Sequence, residues 1–172
     1  MAEVVVAFGG NVGGERHVRD RLDRAIGILC DGIDVTLLAR SSDYRTPPWG
    51  VTEQPPFVNC IVIASTELSP PALLERAQET ERQFGRDRAG EQRWGPRTLD
   101  IDLITYDDIT KTTPMLTLPH PRALERAFVL MPLAELAPDA RILGVRVRDA
   151  LARLDTAGIE KLPARDGNMP PR

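Results

Sequence analysis

Lysine is nearly absent: of 22 basic side chains only Lys111 and Lys161 are lysine, and the others are arginine. Arginine's planar fork suits bidentate contacts to phosphate, although a GC-rich genome would produce the same bias, so the choice carries little weight alone. Cysteine is scarce as well. Cys30 and Cys60 lie in apolar stretches with no C-x-x-C spacing and no histidine partner, so no zinc site emerges and both read as small reduced core residues. His17 and His120 are the only histidines, and His17, beside Arg16 and Arg19, reads as a solvated surface residue. No apolar run approaches the ~18 residues of a membrane span, and no charged-then-apolar leader precedes the first strand, so a cytoplasmic location is expected. A formal charge of -3 with a pI near 5.5 gives no general attraction to nucleic acid or to an anionic membrane. Any cluster of arginines must then serve a local, small anionic ligand.

Such a cluster is present. Arg82, Arg86, Arg88, Arg93 and Arg97 stand against only Asp87 and Glu91, and they run into Arg93-Trp94-Gly95-Pro96-Arg97-Thr98-Leu99-Asp100-Ile101-Asp102. Asp100 and Asp102 alternate with Leu99, Ile101 and Leu103, so on a strand both carboxylates share one face while the apolar residues pack on the other. Carboxylates at i and i+2 lie roughly 6–7 Å apart, close enough to hold one metal or two. An isolated D-x-D is more often the solvated face of an edge strand. Two aspartates on one face repel, however, and aspartate is poor strand material, so a magnesium polyphosphate is the better reading.

At 172 residues one domain is expected, spanning 1–162, followed by a disordered tail over 163–172. Residues 3–8 read as a buried strand and 15–29 as a helix. The glycines between them fit neither G-x-G-x-x-G nor a P-loop, so a tight turn is expected there. A strand over 33–41 leads to a long proline-stiffened loop over 42–56. The strand over 57–65 places Phe57, Asn59, Ile61 and Ile63 on one face, with Val58, Cys60, Val62 and Ala64 on the other. Asn59 is the polar exception, suited to a planar heterocycle or to a neighbouring backbone group. Ser69 and Pro70 start a helix that Gly85 ends, with Leu74, Ala77, Glu81 and Phe84 on its apolar stripe. A strand over 99–106 and helices over 122–136 and 146–154 complete the chain. The order strand, helix, strand, strand, helix, strand predicts an α+β fold: a ferredoxin-like, mostly antiparallel sheet with helices on both faces, in three α/β/α layers.

The segment from Arg93 to Asp102, together with Tyr44-Arg45-Thr46-Pro47-Pro48, Phe57-Val58-Asn59 and Leu118-Pro119-His120, resembles the 6-hydroxymethyl-7,8-dihydropterin pyrophosphokinase family of folate biosynthesis, over roughly residues 3–140. The resemblance implies transfer of the terminal pyrophosphoryl group of ATP to the hydroxymethyl oxygen of the reduced pterin, with release of AMP. It implies that Asp100 and Asp102 hold two Mg2+ ions, and that Arg88 and Arg93 neutralise charge in the reaction. Gln78, Glu81, Trp94, Arg97, Leu103, Thr117, His120 and Arg126 would serve ATP beside them. Thr46, Pro47, Trp49, Phe57, Asn59 and Phe128 would serve the pterin, ring-stacked between the two phenylalanines. Loops 42–56 and 85–95 would close over both substrates. A monomer is expected, with no nucleic-acid or membrane partner.

The chain departs from the family pattern at Phe57, Trp49, Met115, Pro121 and Gly10, where tyrosine, leucine, arginine, tyrosine and serine are usual. Two rivals remain at this point: a non-catalytic ferredoxin-like module that stacks nucleotides or single-stranded RNA on Phe57, Trp49 and Trp94, and an ordinary kinase or nucleotidyltransferase on the same metal site.

Overall fold

The computed structural model describes residues 1–48, 50, 52–86, 88–90 and 95–165. β1 (Ala2–Gly10) is apolar at nearly every position because it lies inside the sheet with helices against both of its faces. Val4, Val6 and Phe8 meet α1 (Glu15–Leu29), through Val18, Leu22, Ala25 and Leu29. Val5 lies in a second cluster on the opposite face.

β2 (Val35–Arg40) and β3 (Tyr44–Thr46) run one after the other along the same edge of β4 (Phe57–Thr66), so β3 occupies part of what the sequence suggested was loop. Between them Ser41 keeps the ladder intact. Its N–H donates to Ile61 O at 2.9 Å, and its hydroxyl accepts from Ile61 N at 2.8 Å. β4 shows the expected two faces. Val58, Cys60, Val62 and Ala64 join the α1 side, while Ile61 and Ile63 join the other.

α2 (Pro70–Gln83) starts where Ser69 Oγ accepts from Ala72 N at 3.3 Å, with proline in the first turn. Its buried residues are Leu73, Ala77, Thr80 and Glu81, whereas Leu74 and Phe84 are only partly covered. Ser69→Ala should lower stability by about 1 kcal/mol, the usual worth of a side-chain N-cap, as read from the midpoint of a urea transition.

β5 (Asp100–Tyr106) pairs antiparallel with β1 and closes that edge. A hairpin of β6 (Lys111–Thr112) and β7 (Thr117–Leu118) packs beside it. The expected helix over 122–136 is interrupted. A 3-10 turn at Ala123–Glu125 comes first, Arg126 is extended at φ -108 and ψ 101, and α3 (Ala127–Leu136) follows. The small hairpin of β8 (Arg141–Ile142) and β9 (Val145–Arg146) leads to α4 (Val147–Leu151), which is shorter than its sequence pattern suggested. α3 and α4 bring Val129, Leu130, Leu133, Val147 and Ala150 against Val5, Ile61 and Ile104.

β10 (Glu160–Lys161) adds to β3, giving the order β10-β3-β4-β1-β5, with β2 also on β4. Every recorded strand pairing is antiparallel. The tail expected to be disordered from 163 begins with held residues. Pro163 O accepts from Arg19 Nη2 at 2.8 Å, and Arg165 pairs with Asp20 and Asp23. Residues 166–172 lie outside the described residues. Among the described residues, no helix is long and apolar enough to cross a membrane.

Candidate active site

The register of three strands builds the floor of the site. Gly9 of β1 stands opposite Asn59 of β4 on one side and Asp100 of β5 on the other, and Ala7 stands between Ile61 and Asp102. At the usual strand spacing, Asn59 and Asp100 are therefore about 10 Å apart across a residue that has no side chain. Glycine leaves the Asn59 amide its place: a Cβ on Gly9 would lie 2.3 Å from Asn59 Oδ1, so any side chain there would force the amide to move. Next to it, a Cβ on Gly10 would lie 2.6 Å from Thr98 O, so serine at that position would need the backbone at Thr98 to shift. A cavity of about 440 Å³ opens above this floor, a size suited to small-molecule ligands.

At one end of the cavity stand Asp100 and Asp102, with Leu99, Ile101 and Leu103 packed into the core behind them as their alternation requires. Burial, and then the neighbouring charge of Asp100, push the carboxyl of Asp102 up to about 7, against the pull of Arg126. Asp102, whose ionisation is opposed in this way, and Asp100 face one cavity and form a donor set whose charge a divalent cation would offset. Magnesium commonly takes only one or two protein carboxylates and completes its shell with phosphate oxygens and water, so the pair fits it.

Nitrogen donors, most of them cationic, surround that pair. Arg97, His120, Arg122 and Arg126 line the same cavity. Arg126 arrives there because its extended backbone breaks the helix. Its Nε is buried with no hydrogen-bond partner among the described residues, and its guanidinium lies 5.5 Å from the Phe128 ring centroid. Burial, and then the charge of Arg126, hold the His120 ring down at about 4. It is therefore neutral at pH 7. Its Nδ1 accepts from Arg122 N at 3.1 Å, which leaves Nε2 as the donor.

Arg86 stands closer still. Its Nη1 donates to Asp100 Oδ1 at 2.8 Å and pairs with Glu81, and its side chain is only 5% exposed. Glu81 in turn accepts from Ile101 N at 2.9 Å. The carboxylate that interrupts the apolar stripe of α2 is thus buried beneath β5, where it anchors Arg86 and the strand, and it does not line the cavity.

Across Gly9 from the carboxylates stand Thr46, Phe57 and Asn59 of β3 and β4, and Pro47 and Phe128 line the same cavity, Phe128 beside Arg126. Asn59 Nδ2 donates to Thr46 Oγ1 at 2.7 Å, tying β4 to β3 within the cavity wall.

The fold therefore gathers both expected metal ligands, five of the expected pterin residues, and Arg97, His120 and Arg126 around one cavity. It does not bring Gln78, Glu81, Leu103 or Thr117 into that lining. Leu103 is a core residue, whereas Gln78 and Thr117 are partly exposed on α2 and β7. Trp49, Arg93, Trp94 and the side chain of Arg88 lie outside the described residues.

Asn11 has no place in the sequence-based list, because the segment around it reads only as a tight turn. It is 2% exposed and joins the loop over 42–56 to Arg97, just past the loop over 85–95. Its Oδ1 accepts from Arg97 N at 2.8 Å, and its Nδ2 donates to Gln54 Oε1 at 3.0 Å and to Pro55 O at 2.9 Å. An amide directly after two glycines at a strand end was the available signal.

A family model described as 7,8-dihydro-6-hydroxymethylpterin-pyrophosphokinase matches residues 5–138. A 2-amino-4-hydroxy-6-hydroxymethyldihydropteridine pyrophosphokinase of Methylorubrum extorquens is 45% identical over 162 residues, covering 94% of this chain and 99% of the relative. One from Pseudomonas aeruginosa is 38% identical over 164 residues, covering 95% and 98%. Among solved structures, the fold is similar to a Plasmodium falciparum HPPK-DHPS triple mutant, with a TM-score of 0.69 at 13% identity, covering 88% of this chain and 44% of that one. With the family motifs on the strands that form the cavity, and relatives that match over nearly their whole length, the chain belongs to the 7,8-dihydro-6-hydroxymethylpterin-pyrophosphokinase family.

Proposed function

We propose that the protein transfers the terminal pyrophosphoryl group of ATP to the hydroxymethyl oxygen of 6-hydroxymethyl-7,8-dihydropterin in folate biosynthesis. The bond between the β-phosphorus and the oxygen bridging to the α-phosphate breaks, and AMP leaves with that oxygen. A bond from the hydroxymethyl oxygen to the β-phosphorus forms, and the hydroxyl proton is released. The observation that carries this reading is one cavity whose lining holds Asp100 and Asp102 with arginines on the β5 side and Phe57 with Asn59 on the β4 side, about two strand spacings away.

In this reading Phe57 and Phe128 stack on the pterin, while Thr46, Pro47 and Asn59 meet its polar edge, with Trp49 beside them. Arg97, Arg126 and neutral His120 hold the phosphates, with Arg88 and Arg93 supplied by the neighbouring loop. Phosphoryl chemistry asks a protein mainly for positioning and charge neutralisation, and these side chains do both. Asp100 and Asp102 would hold two Mg2+ ions, whose bound charge offsets that of the phosphates. The adenine half, with Trp94, extends beyond the cavity toward Gln78 and Thr117, since α2 and β7 both pack against β5. Leu103 and Glu81 support that wall from within. Closure of the two flanking loops excludes water, and Asn11 provides a connection between them.

Helices on both faces and the order β2-β4-β1-β5 support a ferredoxin-like, three-layer arrangement. We further take the protein to act as a cytoplasmic monomer, as one domain over 1–162.

Incubation with Mg2+, ATP and the hydroxymethyl pterin should form AMP only when pterin is present. ADP in its place would indicate simple phosphoryl transfer, pyrophosphate would indicate nucleotidyl transfer, and no pterin-dependent nucleotide product would sink the proposal.

A further inference from the structure

The C-terminal segment does more than finish the sheet. β10 pairs with β3 through Glu160 opposite Arg45 and Lys161 opposite Tyr44, and Leu162 is buried in the main core. Leu162 N donates to Asp43 O at 2.8 Å. Arg19 then holds both sides of that junction, donating to Asp43 Oδ2 and to Pro163 O, each at 2.8 Å. Lys161 lies 2.9 Å from Glu135, the carboxylate that receives the N–H and hydroxyl of Ser42. β3 is therefore clamped from its first residue, and the two residues that leave the clamp, Thr46 and Pro47, are cavity walls.

Gly158, at φ +80, turns the chain back toward β3 beside Pro47. A Cβ there would lie 2.9 Å from Pro47 Cγ, where ordinary contact begins at 3.4 Å. A proline ring has little freedom to yield, so a methyl group at 158 would displace Pro47, itself part of the cavity wall, by about half an ångström.

We infer that the C-terminal turn and strand, through Gly158, set the position of Thr46 and Pro47 and hence the fit of the planar heterocyclic substrate. This rests on the functional reading given above. Gly158 is a positioning residue: it leaves Pro47 the space that a Cβ would take, and it lies outside the cavity lining.

Gly158→Ala in the full chain should raise KM for the pterin roughly tenfold, in line with the cost of sub-ångström misplacement, while KM for ATP stays within about twofold. A purely structural role would lower the melting temperature through the positive φ without separating the two substrates. Pairing the change with Pro47→Ala separates the causes. If contact is the mechanism, the double variant returns to the pterin KM of Pro47→Ala alone. Fully additive effects, or an unchanged pterin KM in an active Gly158→Ala protein, overturn the inference. A wild-type chain that turns over no pterin overturns the functional reading, and this inference with it.

Discussion

Asp102→Asn is expected to remove pyrophosphoryl transfer and, in the ligand-free protein, to raise stability at pH 8. The first effect follows from the loss of one of two carboxylates offered to the metal, together with the charge balance built around it. We expect kcat to fall by at least about 10³-fold. The second follows from the raised titration of Asp102. An unfolded aspartate releases its proton near 3.8, whereas the native one keeps it until about 7. Between those values the native chain holds a proton that the unfolded chain has lost, so stability falls as pH rises, and above pH 7 the whole penalty is present. Asparagine carries no charge at any of these pH values. The variant should gain about 1–3 kcal/mol at pH 8 and little at pH 4, which at this chain length is a melting temperature higher by several degrees. Thermal melts of both proteins at the two pH values test this. A variant equal to wild type or less stable at pH 8 would show that the two carboxylates do not strain the empty site. Millimolar Mg2+ should narrow the gap by stabilising the wild type alone.

Arg86→Ala should be among the most destabilising single substitutions, at about 3–5 kcal/mol, the range for breaking a buried charge pair from one side. Its guanidinium is 5% exposed and lies between Glu81, which is 1% exposed, and Asp100. Without it, the negative charges of Glu81, Asp100 and Asp102 meet at one strand with less to balance them. The urea midpoint should fall strongly with an unchanged m-value. Glu81→Gln in the same background should recover part of the loss by removing one of those charges. No recovery in the double variant would mean that lost packing around Arg86, and not charge, sets the cost.

The fate of Glu81 shows how far local pattern reaches. Helical periodicity places a carboxylate on the buried face of α2, and from that alone a ligand or an arginine partner is equally natural. Which of these applies depends on β5 passing over the helix and presenting Ile101 N, a contact 20 residues away in the chain. Arg126 shows the reverse case. The sequence from 122 to 136 has helical composition throughout, and nothing local marks residue 126 as extended. The break arises where the chain turns from the β7 edge onto the second face of the sheet, and it delivers the arginine to the cavity.

By itself the sequence determined the alternations that place Asp100 with Asp102 and Phe57 with Asn59, since a strand's period of two leaves no other face for them. It also determined the extent of the first two helices to within a residue or two, through glycine, proline and the Ser69 cap, and it carried the motifs of the family. Tertiary structure alone decided that Gly9 separates Asn59 from Asp100, that Asn11 ties Arg97 to the loop over 42–56, that Arg86 sits against Asp100, and that Gly158 comes beside Pro47. Each of those depends on strand register or on contacts distant in sequence. Such contacts form only when burial of two apolar sheet faces selects one register for every strand, and a shift of one residue would turn every one of these side chains away.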